Sequence, residues 1–98
     1  RGITAVFAAN DDVAISVIQT AKALGLRVPE DLSVIGFDNI QLAQHVQPNL
    51  TTMRVDKMGM GRLAVQALIN RIDNPGAASV RMVIQPNLIE RQSVIHLD

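Results

Sequence analysis

Cysteine is absent from the 98 residues, which excludes disulfides and thiolate metal sites but does not identify a cellular compartment. No apolar run has the length that a membrane-spanning helix requires. The chain also lacks an excess of charge of either sign, because nine basic side chains balance nine acidic ones, and it contains no run of lysine or arginine. Phosphate binding requires a positive surface, so we do not expect these residues to bind DNA themselves.

The hydrophobic content is 48%, which is enough for a core but, over this length, predicts no more than one compact unit. The sequence begins at Arg1-Gly2 without an initiator methionine and leads almost at once into an apolar run. We therefore expect the chain to be a piece of a longer polypeptide.

Two apolar runs near the amino terminus predict buried strands with a helix between them. Ile3–Ala9 is almost continuously apolar, as strands covered on both faces usually are. The helix that follows ends before Gly25, and its apolar face is predicted to comprise Ala14, Val17, Ile18, Ala21 and Leu24. Pro29 prevents the helix from continuing, and Leu32–Phe37 predicts the second strand. Strand, helix and strand in this order predict parallel pairing with a right-handed crossover.

The second half of the chain continues the α/β pattern with weaker signals. Residues 39–49 predict a short helix followed by a loop, and Leu50–Arg54 predicts a third strand. Lys57–Ile72 is a helix whose apolar surface is wide enough to predict packing on more than one side. Val80–Gln85 alternates as a strand does, and Leu88–Glu90 is a candidate edge strand. The fold class is therefore α/β, with a parallel βαβ sheet and flanking helices.

Two polar side chains stand directly after the first two predicted strands, namely Asn10 and Asp38. In open parallel sheets, ligands bind at the carboxyl ends of the strands, so both side chains would face one crevice. From residue type alone, each has a structural alternative, because Asn10 suits a helix cap and Asp38 suits a turn. Their convergence at neighbouring strand ends is harder to explain by capping alone.

The remaining candidates favour structural roles. Asp11 and Asp12 suit the positive end of the helix dipole better than a ligand contact. His45 and His96 have no partner at metal-ligand spacing, so no metal site is predicted. The sequence shows no phosphate-binding loop and no paired-carboxylate or nucleophile and base arrangement. We therefore predict neither a cofactor nor an enzymatic activity.

Six segments carry a pattern that extends over nearly the whole chain. They are Phe7–Asp12 with Ala14, Gly25–Asp31, Val34–Asn39, Pro48–Thr52, Gly61 with Leu63-Ala64, and Leu88–Ser93. In this order, they resemble the effector-binding domain of the lactose-repressor/galactose-repressor (LacI/GalR) family of bacterial transcription regulators. The last segment is most similar to the purine-repressor and ribose-repressor branches. The resemblance implies a type I periplasmic-binding-protein-like fold, of which residues 1–98 would form part of the carboxyl-terminal lobe.

The same resemblance implies a function and a set of contact residues. The family contacts a small-molecule effector at the positions of Asn10 and Asp38, which implies a sugar or a purine-like ligand. It forms its homodimer contact at the positions of Ile15, Gln19 and Val46, and helical spacing places Ile15 off the buried stripe. The implied protein is a cytoplasmic repressor that does not associate with membranes. It would bind operator DNA only through an amino-terminal helix-turn-helix that these residues do not contain.

Two alternatives remain open at this stage. A periplasmic sugar-binding protein of an ABC transporter shares the fold and the ligand crevice, and its gene would encode a signal peptide in place of the DNA-binding headpiece. An enzyme on a doubly wound fold is the other alternative, because a fold by itself does not determine a function. Turnover of small phosphorylated or glycosidic substrates would support the enzyme.

The charge balance generates a testable prediction. The isolated 98-residue chain should not retard duplex DNA in a gel, even at low salt, because it has neither a basic surface nor a reading helix. The assay compares operator DNA with a random duplex of equal length. A specific shift of the operator by this chain alone would contradict the prediction.

Overall fold

The computed structural model describes residues 2–97. Its elements are four short strands, two α-helices and one 3-10 turn; the first helix lies between the first two strands, the 3-10 turn between the second and third, and the second helix between the third and fourth. They are β1 (Ala5–Phe7), α1 (Asp11–Ala23), β2 (Ser33–Ile35), a single 3-10 turn (Gln41–Gln44), β3 (Thr52–Arg54), α2 (Lys57–Asp73) and β4 (Asn87–Ile89).

The described chain divides into two compact units, not the single unit that its length and composition predict. The first unit comprises the chain up to Arg54 and again from Asn87, and the second is Val55–Pro86. The prediction of one unit is wrong because α2 does not contribute to a core within these residues. None of its residues, all of which the structure describes, is buried. Helical periodicity shows that a face is apolar, but not what covers it.

The first βα unit follows the prediction. β1 and β2 pair in parallel with Val6 opposite Val34, and the Ala8 N–H donates to the Ile35 carbonyl at 2.9 Å. The regular strands are shorter than the apolar runs that predict them. The helix between them begins after Asn10, and Gly25 beyond its end adopts φ +85°, the left-handed conformation that glycine favours.

β3 and β4 form a second two-stranded sheet, which an isolated parallel bridge between Ile35 and Thr51 joins to the first. The Gly36 N–H donates to the Thr51 carbonyl and the Asp38 N–H to the Met53 carbonyl, both at 2.9 Å, so β3 lies parallel to the extension of β2. β4 then pairs antiparallel with β3, with Thr52 opposite Ile89. The predicted edge strand near residues 88–90 is thus confirmed. The predicted strand Val80–Gln85 is wrong, because no residue from 80 to 85 is in a strand.

A serine hydroxyl completes the sheet between β2 and β3. Ser93 is fully buried; its Oγ donates to the Val34 carbonyl and accepts from the Thr51 N–H at 2.9 Å. The Ser93 carbonyl also accepts from the Val34 N–H at 2.8 Å. The segment after β4 therefore satisfies strand groups that would otherwise be buried without a partner.

The core of the first unit lies between α1, the strands and the segment after β2. Its buried apolar cluster is Ala8, Ala14, Ile15, Ile18, Val34, Ala43 and Leu50. Ile15 is 6% exposed, so the prediction that it lies off the buried stripe is wrong. The segment after β2 covers that flank of α1, since Ala43 belongs to the cluster and Val46 packs against it. Leu24, predicted on the buried face, is exposed instead.

A short charged pair closes the turn between α1 and β2. The Arg27 guanidinium donates to Asp31 at 3.0 Å from Nε and 2.9 Å from Nη2, and the Arg27 N–H donates to the same carboxylate at 2.7 Å. These hydrogen bonds from the side chain and then the backbone of Arg27 lower the pKa of Asp31. The pair is exposed, so it fixes the local turn more than it stabilises the fold.

A buried carboxylate joins α1 to the segment that follows β2 and to the start of β3. Asp11 is completely buried, whereas the sequence predicts only a dipole role at the start of a helix. Its Oδ1 accepts from the Thr52 hydroxyl at 2.6 Å and its Oδ2 from the Ile40 N–H at 2.8 Å. Gly36 makes room for it, because a Cβ there would collide with Asp11 Oδ1 and approach Ala14 Cβ to 3.2 Å.

This close packing predicts a stability difference between two glycine substitutions. Gly36→Ala should lower the free energy of unfolding by about 1–3 kcal/mol, because the added methyl displaces a buried, hydrogen-bonded carboxylate. Gly61→Ala is the matched control within α2, where an added Cβ meets no described atom within 4 Å. It should leave stability unchanged or raise it by about 0.5–1 kcal/mol. Urea unfolding measures both, and equal stability of the two variants would contradict the role of Gly36.

Candidate functional site

The parallel strand order brings together the two predicted ligand-binding residues. β1 and β2 lie side by side and run in the same direction, so the residues that follow them emerge at one edge. The Asp11 N–H donates to the Phe37 carbonyl at 3.1 Å and joins the two loops directly. Asp11 directly follows Asn10, and Phe37 directly precedes Asp38. This hydrogen bond therefore lies next to both predicted residues at the carboxyl edge of the sheet.

Asn10 has the structural role that its residue type predicts. Its backbone is extended, and its Oδ1 accepts from the Val13 N–H at 2.9 Å, which caps the first turn of α1. The side chain is exposed. Its amide also carries an NH₂ group that the cap does not use. The cap fixes the orientation of the amide, so this NH₂ group is held in place for a further contact at the sheet edge.

Asp38 occupies a conformation that few non-glycine residues adopt. It is half-buried, its φ is +125°, and its N–H is held by the carbonyl of Met53. A side chain in this region of backbone space costs on the order of 1–3 kcal/mol and persists only where the surroundings enforce it. Such strain is concentrated at ligand-binding positions, which agrees with the placement of this carboxylate at the strand end.

The residue after Asp38 is held by an arginine from the far end of the chain. Asn39 has φ +55°, and its Oδ1 accepts from Arg91 Nη2 at 2.8 Å. The second guanidinium nitrogen, Nη1, donates to the Leu50 carbonyl at 2.9 Å. The sequence pattern does not predict this contact, because 52 positions separate the two residues and neither has a local signal.

The three residues predicted at a dimer contact lie around one shallow depression. Its volume is about 300 Å³, and its lining comprises Ile15, Ile18, Gln19, Lys22, Val46 and Gln47. Gln19 is exposed and Val46 is half-buried, whereas Ile15 forms the buried floor. Lys22 Nζ donates to the Gln47 carbonyl at 3.0 Å and fixes one wall. Sequence spacing relates Ile15 to Gln19, but only the fold adds Val46.

Residues 2–97 have neither a cluster of metal-ligating side chains nor a membrane-spanning helix. They contain no group of three or more histidine, cysteine, aspartate or glutamate side chains that could hold a metal ion. None of their helices is both long enough and apolar enough to cross a membrane. His45 and His96 are both exposed.

Comparison with known sequences identifies the family. The model of the periplasmic binding protein-like domain matches residues 2–94. The Ribose operon repressor of Haemophilus influenzae is 39% identical over 94 residues, which cover 96% of this chain and 28% of that protein. The HTH-type transcriptional repressor PurR of Photorhabdus laumondii is 44% identical over 92 residues, which cover 94% of this chain and 27% of that protein. The chain therefore spans little more than a quarter of these relatives.

Solved structures of regulators share the fold. The transcriptional regulator CelR in complex with cellobiose superposes with a TM-score of 0.85 at 36% identity, over 92% of this chain and 28% of that one. A LacI family regulator from Enterococcus faecium with bound ribose also gives 0.85, at 30% identity over 100% of this chain and 37% of that one. The lac repressor dimer bound to operator and an anti-inducer gives a TM-score of 0.86 at 28% identity, over 95% of this chain and 32% of that one.

The family match, the identities and the superpositions confirm the resemblance and the fold class predicted from the sequence. These relatives are repressors and regulators of transcription by name. The chain belongs to the periplasmic-binding-protein-like domain family and corresponds to part of the effector-binding domain of LacI/GalR-type regulators.

Proposed function

We propose that these residues form the effector-sensing part of a cytoplasmic bacterial repressor that binds a sugar or a purine-like molecule and has no enzymatic activity. The observation that carries the proposal is that Asn10, whose amide caps α1, and Asp38, which has a carboxylate, lie at the same edge of a parallel sheet. The similarity to CelR with cellobiose and to a regulator with ribose supports a sugar more directly than a purine. The repressor names of the relatives favour this function over a periplasmic transport protein.

The chemistry of the two side chains defines the class of ligand. An ionised carboxylate accepts hydrogen bonds only, and it can accept from two neighbouring hydroxyls or from a ring N–H. The NH₂ group of Asn10 donates and therefore complements an acceptor oxygen or nitrogen on the same ligand. A neutral molecule with adjacent donors and acceptors fits this pair, as sugars and nucleobases do.

The second unit provides a surface for the rest of such a protein. α2 exposes a series of large apolar side chains, among them Met58, Val65, Leu68, Ile69 and Ile72. An isolated apolar side chain on a surface is normal, but a contiguous face normally marks an interface. We propose that this face packs on the part of the effector-binding domain that the relatives possess beyond the matched residues.

In the complete regulator, effector binding would act as a switch between two states. A ligand shifts such an equilibrium only through a difference in its affinity for the two states. Closure of two lobes around the ligand would change their relative orientation and hence the spacing of two helix-turn-helix headpieces on the operator. The similarity to the lac repressor dimer bound to operator supports this arrangement.

The assignment of Asp38 is tested by calorimetry on the complete regulator. Titration with D-ribose, cellobiose, lactose, hypoxanthine and guanine identifies a ligand. Asp38→Ala should then weaken its binding by about 1.5–3 kcal/mol, because a charge-assisted hydrogen bond is lost. Asp73→Ala, the same change at an exposed residue at the end of α2, is the control. Unchanged affinity of Asp38→Ala would contradict the proposal.

We also propose a homodimer that uses the depression around Gln19. A two-fold interface places the same patch of both subunits in contact, so a charge near the axis meets its own copy. Ile15 lies at the floor of the depression, and Gln19 and Val46 stand at its rim. The buried position of Ile15 makes it unsuitable for a charge substitution, since a buried charge would destabilise the fold itself.

Gln19→Glu therefore tests the interface at an exposed position. It should shift the complete regulator toward monomer in sedimentation equilibrium, because two carboxylates would face each other in a desolvated contact. Gln92→Glu, the same change at an exposed residue outside the depression, should leave the association constant unchanged. Equal association of the two variants would exclude this face as the interface.

A further inference from the structure

The segment Asp38–Ile40 is held from three sides by groups outside it. The Met53 carbonyl accepts from the Asp38 N–H, Arg91 donates to the Asn39 side chain, and Asp11 accepts from the Ile40 N–H. The Asn39 N–H also donates to Thr52 Oγ1 at 3.3 Å. Two consecutive residues with positive φ are therefore fixed in a segment with no regular secondary structure.

Arg91 is the only one of these holding groups that acts through a side chain of the segment. Its guanidinium is planar, so its nitrogens donate in directions fixed relative to one another. Nη1 is bound to the Leu50 carbonyl, and the Arg91 N–H donates to Thr51 Oγ1 at 2.9 Å. Because Nη1 is held by Leu50, shortly before β3, the planar guanidinium also fixes the position of Nη2. Nη2 in turn fixes the position of the Asn39 side-chain amide.

The contact between Arg91 and Asn39 also affects Asp38, because Asp38 and Asn39 are consecutive residues with positive φ. Asn39 tolerates the left-handed region because its short polar side chain can be satisfied locally. Asp38 at φ +125° is less favourable, so the contacts of its surroundings, including those of Asn39, are needed to hold it in this conformation. A rotation of the backbone at Asp38 and Asn39 would change the direction of the Asp38 side chain, because that side chain is attached to the rotating backbone.

We propose that Arg91 is a positioning residue for effector binding: through Asn39, it fixes the direction of the Asp38 carboxylate. The inference rests on the proposed function, because it requires that Asp38 contacts the effector. The role does not require Arg91 to contact the ligand, since its guanidinium donates to Leu50 and Asn39. Removing the contact between Arg91 and Asn39 should therefore weaken ligand binding only in variants that retain the Asp38 carboxylate.

The test uses the complete regulator and whichever of D-ribose, cellobiose, lactose, hypoxanthine or guanine it binds. Asn39→Gly keeps the positive φ and removes the acceptor, and it should raise the Kd about tenfold. Asn39→Asp keeps an acceptor oxygen at the same position and should bind within about twofold of the parent. Arg91→Lys keeps the charge but not the fork, and it should also raise the Kd about tenfold. Arg27→Lys, at an exposed arginine in another turn, should leave the Kd unchanged.

A second background separates positioning from a general loss of structure. In Asp38→Ala, which has no carboxylate left to position, adding Asn39→Gly should produce no further rise of the Kd. A merely structural role would raise the Kd by the same factor in both backgrounds, which would overturn the inference. So would parent-like binding by both Asn39→Gly and Arg91→Lys.

The two proposals fail in different ways. If Asp38→Ala binds as the parent does, the assignment of the effector site is wrong and the inference about Arg91 is overturned with it. If Asp38→Ala loses binding while Asn39→Gly and Arg91→Lys retain it, the site assignment stands and only the positioning role is excluded. Thermal unfolding of each variant shows that it is folded, and the Asn39 pair decides the question if Arg91→Lys does not fold.

Discussion

The buried carboxylate of Asp11 is the interaction on which the carboxyl edge of the sheet depends. Burying a carboxylate is costly unless both of its oxygens accept hydrogen bonds. Here the Thr52 hydroxyl donates to one oxygen and the Ile40 N–H donates to the other. The carboxylate also stands in the first turn of α1, where the helix dipole favours negative charge. It therefore ties a helix start, a strand and the loop beyond β2 to one point.

The candidate site is a consequence of this joint. Asn10 precedes the buried carboxylate and caps the same helix, so its amide is oriented by the element that Asp11 fixes. Asp38 lies two residues before Ile40, whose N–H the carboxylate binds, and Arg91 holds the residue between them. The groups proposed to contact the ligand thus stand on loops, but each loop is held by hydrogen bonds to regular elements or to buried groups. A preorganised site of this kind loses less entropy when a ligand binds.

The two units differ in how their apolar surface is used. The first unit buries a continuous cluster within residues that the structure describes, including side chains from α1, β2 and the segment before β3. α2 of the second unit leaves its apolar residues exposed, although it is a capped helix with Asp56 accepting from the Gly59 N–H at 2.9 Å. The chain covers 28% and 27% of two of its relatives, and we propose that the remainder of such a protein covers this helix.

The sequence by itself determined the parallel βαβ unit, the bounds of both helices and the placement of Asn10 and Asp38 after neighbouring strands. These features are encoded locally, by apolar periodicity, by a capping amide and by Gly25 at the end of α1. Only the tertiary structure decided that Ile15 is buried, that Asp11 is a joint, and that the chain forms two units. It alone also decided the partners of Ser93 and Arg91. Those contacts join residues 29 to 59 positions apart, such as Ile40 with Asp11 and Ser93 with Val34, and no local pattern specifies which distant group completes a hydrogen bond or covers a helix flank.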